Sequence, residues 1–166
     1  LRVVLLRPRD GPGGLPVQFP AGLHLFATAL TGGLQILSLR GRDMPQVVAA
    51  GTVDAGITGL DTVEEAGDLV ERRIDLGFGA CRLVFAVPQD KPWRGPKELP
   101  DNARIATSFP RLTKQYFAAL GKSVRIVEVS GACEVTPTLG VADAITDLTQ
   151  TGSTLATNHL READTI

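Results

Sequence analysis

Apolar and polar positions divide the chain into short segments. Residues 2–6 read as a buried strand. Residues 10–20 hold Gly11, Pro12, Gly13, Gly14, Pro16 and Pro20, which marks loop or irregular edge structure. Residues 34–39 form a strand candidate, and Pro45 opens a helix over 45–50 that Gly51 closes. A strand over 53–58 follows. Asp61 is then placed to cap a helix running to about Ala66, with Glu64 set for a reciprocal capping box. Residues 69–76 and 82–87 read as two strands joined by the small-residue turn Gly77-Phe78-Gly79-Ala80.

Residues 91–102 contain Pro92, Pro96 and Pro100 and read as a linker, with Trp93 packing there. Beyond it the pattern restarts. Strands are predicted over 104–107, 124–129 and 142–148. Helices are predicted over 112–120, 134–139 and 153–160, the first two closed by Gly121 and Gly140. Such alternation predicts an α/β chain of two small lobes with mostly parallel sheets. The first lobe would cover 1–90, completed by the C-terminal segment from about 160, and the second 91–159. There is no repeat of fixed period and no low-complexity tract.

Composition narrows the function classes. The chain has 166 residues, 43% hydrophobic and 21% charged, which is ordinary globular usage. Lys and Arg number 17 against 18 Asp and Glu, a net charge of −1, so the basic excess of a nucleic-acid binder is absent. Six Phe, one Tyr and one Trp are too few for base-stacking platforms. No apolar run approaches the roughly 20 residues that span a bilayer. The first six residues are too short for a secretory leader, and Arg7, Arg9 and Asp10 follow them. Cys81 and Cys133 make no disulfide framework, so the expectation is a reduced, cytoplasmic protein. His24 and His159 have no partner pattern that suggests catalysis or metal binding.

One segment carries chemistry: Ala144-Ile145-Thr146-Asp147-Leu148-Thr149-Gln150-Thr151-Gly152-Ser153-Thr154-Leu155. An apolar strand ends in an acid, a loop rich in hydroxyls and glycine follows, and a helix begins. Backbone N–H groups and the hydroxyls of Thr151, Ser153 and Thr154 can converge on one anion, aided by the positive helix end. Gly152 lets the backbone approach a phosphate closely. Asp147, at the carboxyl end of its strand, suits sugar hydroxyls or a metal rather than the phosphate. A sugar phosphate meets both demands. The plain alternative is a strand-to-helix turn capped by Thr151 or Ser153.

This segment is similar to the phosphoribosyl-diphosphate loops of phosphoribosyltransferases. The wider run from Glu134 through Gly140-Val141-Ala142-Asp143 to Leu155 resembles the signature of the ATP phosphoribosyltransferase family, the first enzyme of histidine biosynthesis. Further segments agree in order: Arg40-Gly41-Arg42-Asp43-Met44-Pro45, then Gly51-Thr52-Val53-Asp54-Ala55-Gly56-Ile57-Thr58-Gly59-Leu60-Asp61, then Asp75 through Leu83, and Ser130 through Glu134. The likeness covers about residues 34–159. Two features depart from the family. Its Pro-Lys-Gly-Arg loop after the first strand is replaced by Arg7-Pro8-Arg9-Asp10, and the chain stops at Ile166, before the strands that complete the first domain.

The resemblance implies two lobes of the type II periplasmic-binding-protein kind with a cleft between them. It implies transfer of the 5-phosphoribosyl group from phosphoribosyl diphosphate to N1 of the adenine of ATP, with Mg²⁺ as cofactor and its ligands unassigned. Arg40, Glu134 and Asp147 are the candidate catalytic residues. Glu134, Asp147, Thr149, Thr151, Gly152, Ser153, Thr154 and Leu155 would bind phosphoribosyl diphosphate. Thr58, Gly59, Asp61 and Arg82 would face ATP. Arg40 and Arg42 follow a strand and carry the fork that matches diphosphate oxygens. A chain with no regulatory domain resembles the short form, a homodimer assembling with a regulatory subunit like a histidyl-tRNA synthetase. Two other readings stand beside this one: a non-enzymatic two-lobed ligand-binding module, and a phosphoribosyltransferase for another base. The second commonly shows two adjacent acids before the loop, where here Thr146 precedes a single Asp147.

Overall fold

The computed structural model describes residues 3–8, 25–28 and 35–166. The chain divides into two compact units, residues 2–79 and 80–166.

The first unit contains β1 (Val3–Pro8), β2 (Leu25–Thr28), β3 (Gln35–Ser38), α1 (Met44–Ala49), β4 (Gly56–Gly59), α2 (Leu60–Ala66) and β5 (Val70–Asp75). β1 lies between β4 and β5 and is antiparallel to both, and β2 pairs with β3 as a separate antiparallel ribbon. Val48, Val63 and Val70 make the small core that α1 and α2 close. Gly56 is glycine because α1 presses on it: a Cβ there would stand 2.7 Å from Met44 Sδ and from Val48 Cγ2.

The second unit contains β6 (Arg82–Pro88), β7 (Ala103–Thr107), α3 (Pro110–Ala119), β8 (Val124–Glu128), β9 (Ala144–Thr149), α4 (Ser153–Thr157) and β10 (Leu160–Thr165). Its five-stranded sheet has the order β10-β6-β9-β7-β8. Alternation of side chains along each strand sorts the core into two layers. Phe85, Val87, Ile105 and Ala144 face α3, where Phe117 meets Phe85 edge-on with centroids 5.5 Å apart. Val84, Ala86, Ala106 and Ile145 face the other way, onto Cys133 and Leu155. Both faces of β6 are covered, so Leu83 through Val87 are buried in succession.

The α/β alternation predicted from the sequence is present, with mixed sheets. Among the described residues only β7–β8 and β7–β9 pair in parallel, and the remaining pairs are antiparallel. The boundary between units falls after Gly79, not at residue 90, because β6 is the centre of the second sheet. The segment from residue 160 does not complete the first lobe. It forms β10, an edge strand on β6. Nor is 91–102 a linker: Pro96 and Leu99 are buried and Trp93 packs on the α3-side core, so its prolines shape a folded loop. The helix predicted over 134–139 shortens to a 3₁₀ turn, Cys133–Val135. Pro137 offers no N–H to continue it. Asp61 does not cap α2. Gly59 holds the cap position and Asp61 lies inside the first turn, since the helix starts at Leu60. The loop reading of 10–20, with Arg9 and His24, lies outside the described residues.

Candidate active site

Strand β9 is longer than its parallel neighbour. β7 pairs with it as far as Thr107 opposite Thr146, and then leaves the sheet. Residues 147–149 continue with a partner on one side only: Asp147, Leu148 and Thr149 stand opposite Val84, Leu83 and Arg82 of β6. The carboxyl end of β9 therefore projects past the end of β7, the place where open α/β sheets bind ligands. Asp147 is the first residue beyond the shared ladder. Its carboxylate accepts the Leu148 N–H at 2.8 Å.

After β9 the chain turns sharply. Thr149 Oγ accepts the Gly152 N–H at 2.9 Å, which pins the loop. Gly152 has φ +79°, a left-handed conformation natural to glycine. A Cβ there would have nothing within 4 Å, so space lies open over the loop. The Thr151 and Ser153 hydroxyls lie 3.0 Å apart at the entrance to α4. The first helical bond back is Ala156 N–H to Gly152 O; ahead of it the Ser153 N–H donates to Thr151 Oγ at 3.4 Å, and the Thr154 and Leu155 N–H groups begin the helix without a helical partner. Leu155 is buried in the core and fixes α4 to the sheet. Thr151, Ser153 and Thr154 stay exposed.

Glu134 reaches the same place from another element. Ala132 adopts φ +51°, left-handed for a residue with a Cβ, and turns the chain into the 3₁₀ turn Cys133–Val135. The Cys133 thiol is buried and donates to Ala106 O at 3.1 Å, which clamps the turn to β7. Burial, then the negative charges of Asp147 and Glu134, push the Cys133 pKa up to about 12, so it stays a neutral thiol. Burial also raises the Asp147 pKa. The Leu148 N–H draws it back, and the charge of Glu134 raises it again. The two predicted acids thus stand near enough for the charge of Glu134 to reach Asp147, beside an open loop lined with hydroxyls.

Other predicted residues stand elsewhere. Arg82 forks onto Glu162 of β10, one of its nitrogens 3.0 Å from Oε2, and so ties the edge strand to β6. In the first unit, Thr58 is buried and its hydroxyl donates to Gly41 O at 3.0 Å. Gly59 makes room for Asp61, whose Oδ1 would lie 2.2 Å from a Cβ at that position. Asp61 itself is buried and accepts from the Thr62 hydroxyl at 3.4 Å. Arg40 and Arg42 are exposed around the 3₁₀ turn Gly41–Asp43.

Sequence reasoning missed Thr107 and Thr113. Both are fully buried, with Thr146, in a mutual hydroxyl cluster. Thr146 Oγ donates to Thr107 Oγ at 2.7 Å, and Thr113 Oγ lies 2.6 Å from Thr146 Oγ. Nothing in their spacing of six and 33 positions signals the contact, because it exists only once α3 lies across the sheet.

Comparison with known proteins identifies the family. The family model described as "HisG: ATP phosphoribosyltransferase" matches residues 40–166. The chain is 43% identical over 152 residues to the ATP phosphoribosyltransferase of Methanosarcina mazei, covering 91% of this chain and 52% of that one. It is 45% identical over 154 residues to that of Halobacterium salinarum, covering 92% and 54%. The chain spans about half the length of the curated relatives it matches. A solved structure, the ATP phosphoribosyl transferase (HisG:HisZ) complex of Thermotoga maritima, superposes with a TM-score of 0.73 at 31% identity, over 86% of this chain and 71% of that chain.

Proposed function

The chain belongs to the ATP phosphoribosyltransferase family, and on that premise we propose that it transfers a phosphoribosyl group to ATP in the first step of histidine biosynthesis. The adenine N1 attacks the anomeric carbon of phosphoribosyl diphosphate, the bond from that carbon to oxygen breaks, and diphosphate leaves with the electron pair. The observation that carries this reading is the meeting of Glu134, Asp147 and the open Gly152 loop at one strand end. The hydroxyls of Thr151, Ser153 and Thr154, with the Thr154 N–H, take the 5-phosphate, while Glu134 and Asp147 accept from the ribose hydroxyls. Chemistry of this kind asks the protein to orient two polyanions and stabilise departing charge, with no nucleophilic side chain.

Among the described residues no group of three or more His, Cys, Asp and Glu gathers to hold a metal. Two neighbouring carboxylates nevertheless fit Mg²⁺, which is commonly bound through one or two carboxylates plus substrate phosphates. Glu134 and Asp147 are the residues that would hold it. When bound, the ion neutralises diphosphate charge.

In the first unit, Arg40 serves the diphosphate, and Thr58, Gly59 and Asp61 serve ATP. The chain assembles as a homodimer with a regulatory subunit of the HisZ kind, a partner that the HisG:HisZ complex of Thermotoga maritima supports. The reaction belongs in the cytoplasm, the reducing compartment that suits Cys81 and Cys133, which form no disulfide. No described helix is long and apolar enough to cross a membrane.

The test mixes protein, ATP, phosphoribosyl diphosphate and Mg²⁺, with and without such a subunit, and follows the ultraviolet change of N1-ribosylated adenine. A rise dependent on both substrates is expected. No rise in either mixture, together with no binding of phosphoribosyl diphosphate by calorimetry, overturns the reading.

A further inference from the structure

We propose that the buried hydroxyl cluster of Thr107, Thr113 and Thr146 is a positioning device that aims the free end of β9 at the phosphoribosyl ligand. The proposal rests on the reading of the site given above. All three side chains are fully buried. Besides the contacts of 2.6 and 2.7 Å, Thr113 Oγ lies 3.2 Å from Thr107 Oγ, and the Phe109 N–H donates to Thr107 Oγ at 2.9 Å. The cluster thus joins β7, β9, α3 and the turn that starts α3.

Its place in the sheet gives it meaning. Thr107 opposite Thr146 is the last register of the β7–β9 ladder. Residues 147–149 run on with β6 alone. Thr146 is therefore the last point at which β9 is held from both sides, one residue before Asp147. By strand alternation Thr146 faces α3, with Ala144, while Asp147 faces the opposite layer, with Ile145 and Cys133. On that layer Cys133 clamps the 3₁₀ turn of Glu134 to Ala106 O and approaches Thr146 O at 3.8 Å. The ladder's end is gripped from both faces, by hydroxyls beneath and by a thiol above.

A core has no general need of such hydroxyls. Valine has the shape of threonine and avoids burying a polar group. Hydrogen bonds, however, are directional, and those joining Thr146 to Thr107 and to Thr113 fix the exit angle of a strand that valine would only pack against. The same residue accounts for the single acid before the loop. A carboxylate at 146 would point into this dry cluster against α3, not toward ligand.

Thr146→Val, Thr113→Val and the conservative Thr146→Ser test this in the full chain, with Ile105→Val as a purely structural control in the α3-side core. Two quantities are read: steady-state KM for each substrate, and amide hydrogen exchange along the backbone. Thr146→Val and Thr113→Val are each expected to raise KM for phosphoribosyl diphosphate about tenfold, the scale of one lost buried hydrogen bond. KM for ATP should hold within about twofold. Exchange over 147–152 should quicken while that over 82–88 does not, and Thr146→Ser should restore both readouts. If Thr146→Val only lowers the melting temperature, as Ile105→Val does, with KM and local exchange unmoved, the cluster is structural and the proposal fails. It fails equally if both KM values rise together. A wild-type chain with no turnover would refute the functional reading instead, and the exchange experiment would then decide the positioning role by itself.

Discussion

The two units cover their sheets differently. In the second, five successive residues of β6 are buried because α3 covers one face and the Cys133 turn with α4 covers the other. In the first, α1 and α2 close one face, while Ile57 and Ile74 remain 56% and 53% exposed on strands that flank β1. Two-sided coverage makes a stiff platform, and the coupled acids and the hydroxyl cluster are found where that coverage ends. The one-sided sheet presents single polar groups, among them Thr58 and Asp61, that are buried by close approach of local backbone.

Truncating each sheet is the strongest way to break this contrast. Phe85→Ala removes a fully buried ring from the α3-side core and is expected to cost about 3–5 kcal/mol in urea unfolding. Ile74→Ala in the first unit should stay within about 0.5 kcal/mol. A loss at Ile74 as large as that at Phe85 would mean that its face is covered after all.

The loop comes next. Gly152→Val should leave the second unit folded, since a Cβ there meets nothing, at a strain of roughly 1–2 kcal/mol from the left-handed backbone. Binding of phosphoribosyl diphosphate should fall about 100-fold as the side chain fills the phosphate's place. Normal calorimetric affinity in a folded variant would remove the loop from the site.

Asp147 separates activity from stability. Burial raises its pKa in the folded state, so between the unfolded and folded values the native chain keeps a proton that the unfolded chain has lost. Stability therefore falls as pH rises through that window. Asp147→Asn should melt higher than wild type at neutral pH, and the gain should vanish in acid below the ordinary aspartate range. Turnover should meanwhile drop about tenfold or more. A variant that melts lower at neutral pH would show that the charge is stabilised, not strained.

Asp143 gives the smallest effect and the opposite sign. Its bonds with Arg104, at 2.8 and 2.9 Å, hold its carboxyl below the usual range. The stability it contributes is present above the ordinary aspartate value and is lost as pH falls through the folded one. Asp143→Asn should lower the melting midpoint slightly at neutral pH, less in acid and less in high salt. A midpoint difference that grows toward acid would contradict the assignment.

Much of this was legible in the chain. Every strand of the second sheet except β10 was marked by its apolar run, and α3 by its glycine stop. The loop at 149–154 was visible because glycine, hydroxyls and a preceding acid fall within a few consecutive positions. Lobe boundaries were misread for a definite reason. Prolines at 92, 96 and 100 look like a linker when read locally, yet Leu99 and Trp93 bury themselves against a core made by distant strands. The helix read over 153–160 ran into the first residue of β10, and the rest of that strand carries no apolar run, because an edge strand needs only one partner and Leu160 alone of its residues is buried.

The sequence by itself determined the residue types that chemistry needs and their local geometry: a glycine at 152 free to turn left-handed, and alternating strands with a polar end. Tertiary structure alone decided which of them meet. Glu134 and Asp147 become neighbours because Cys133 clamps one turn to β7 while β9 runs past that strand's end. Thr107, Thr113 and Thr146 become one cluster because α3 crosses beneath both strands. Local pattern is governed by interactions within a few residues, whereas these contacts join positions 6 to 39 apart and form only when burial of both sheet faces fixes the packing.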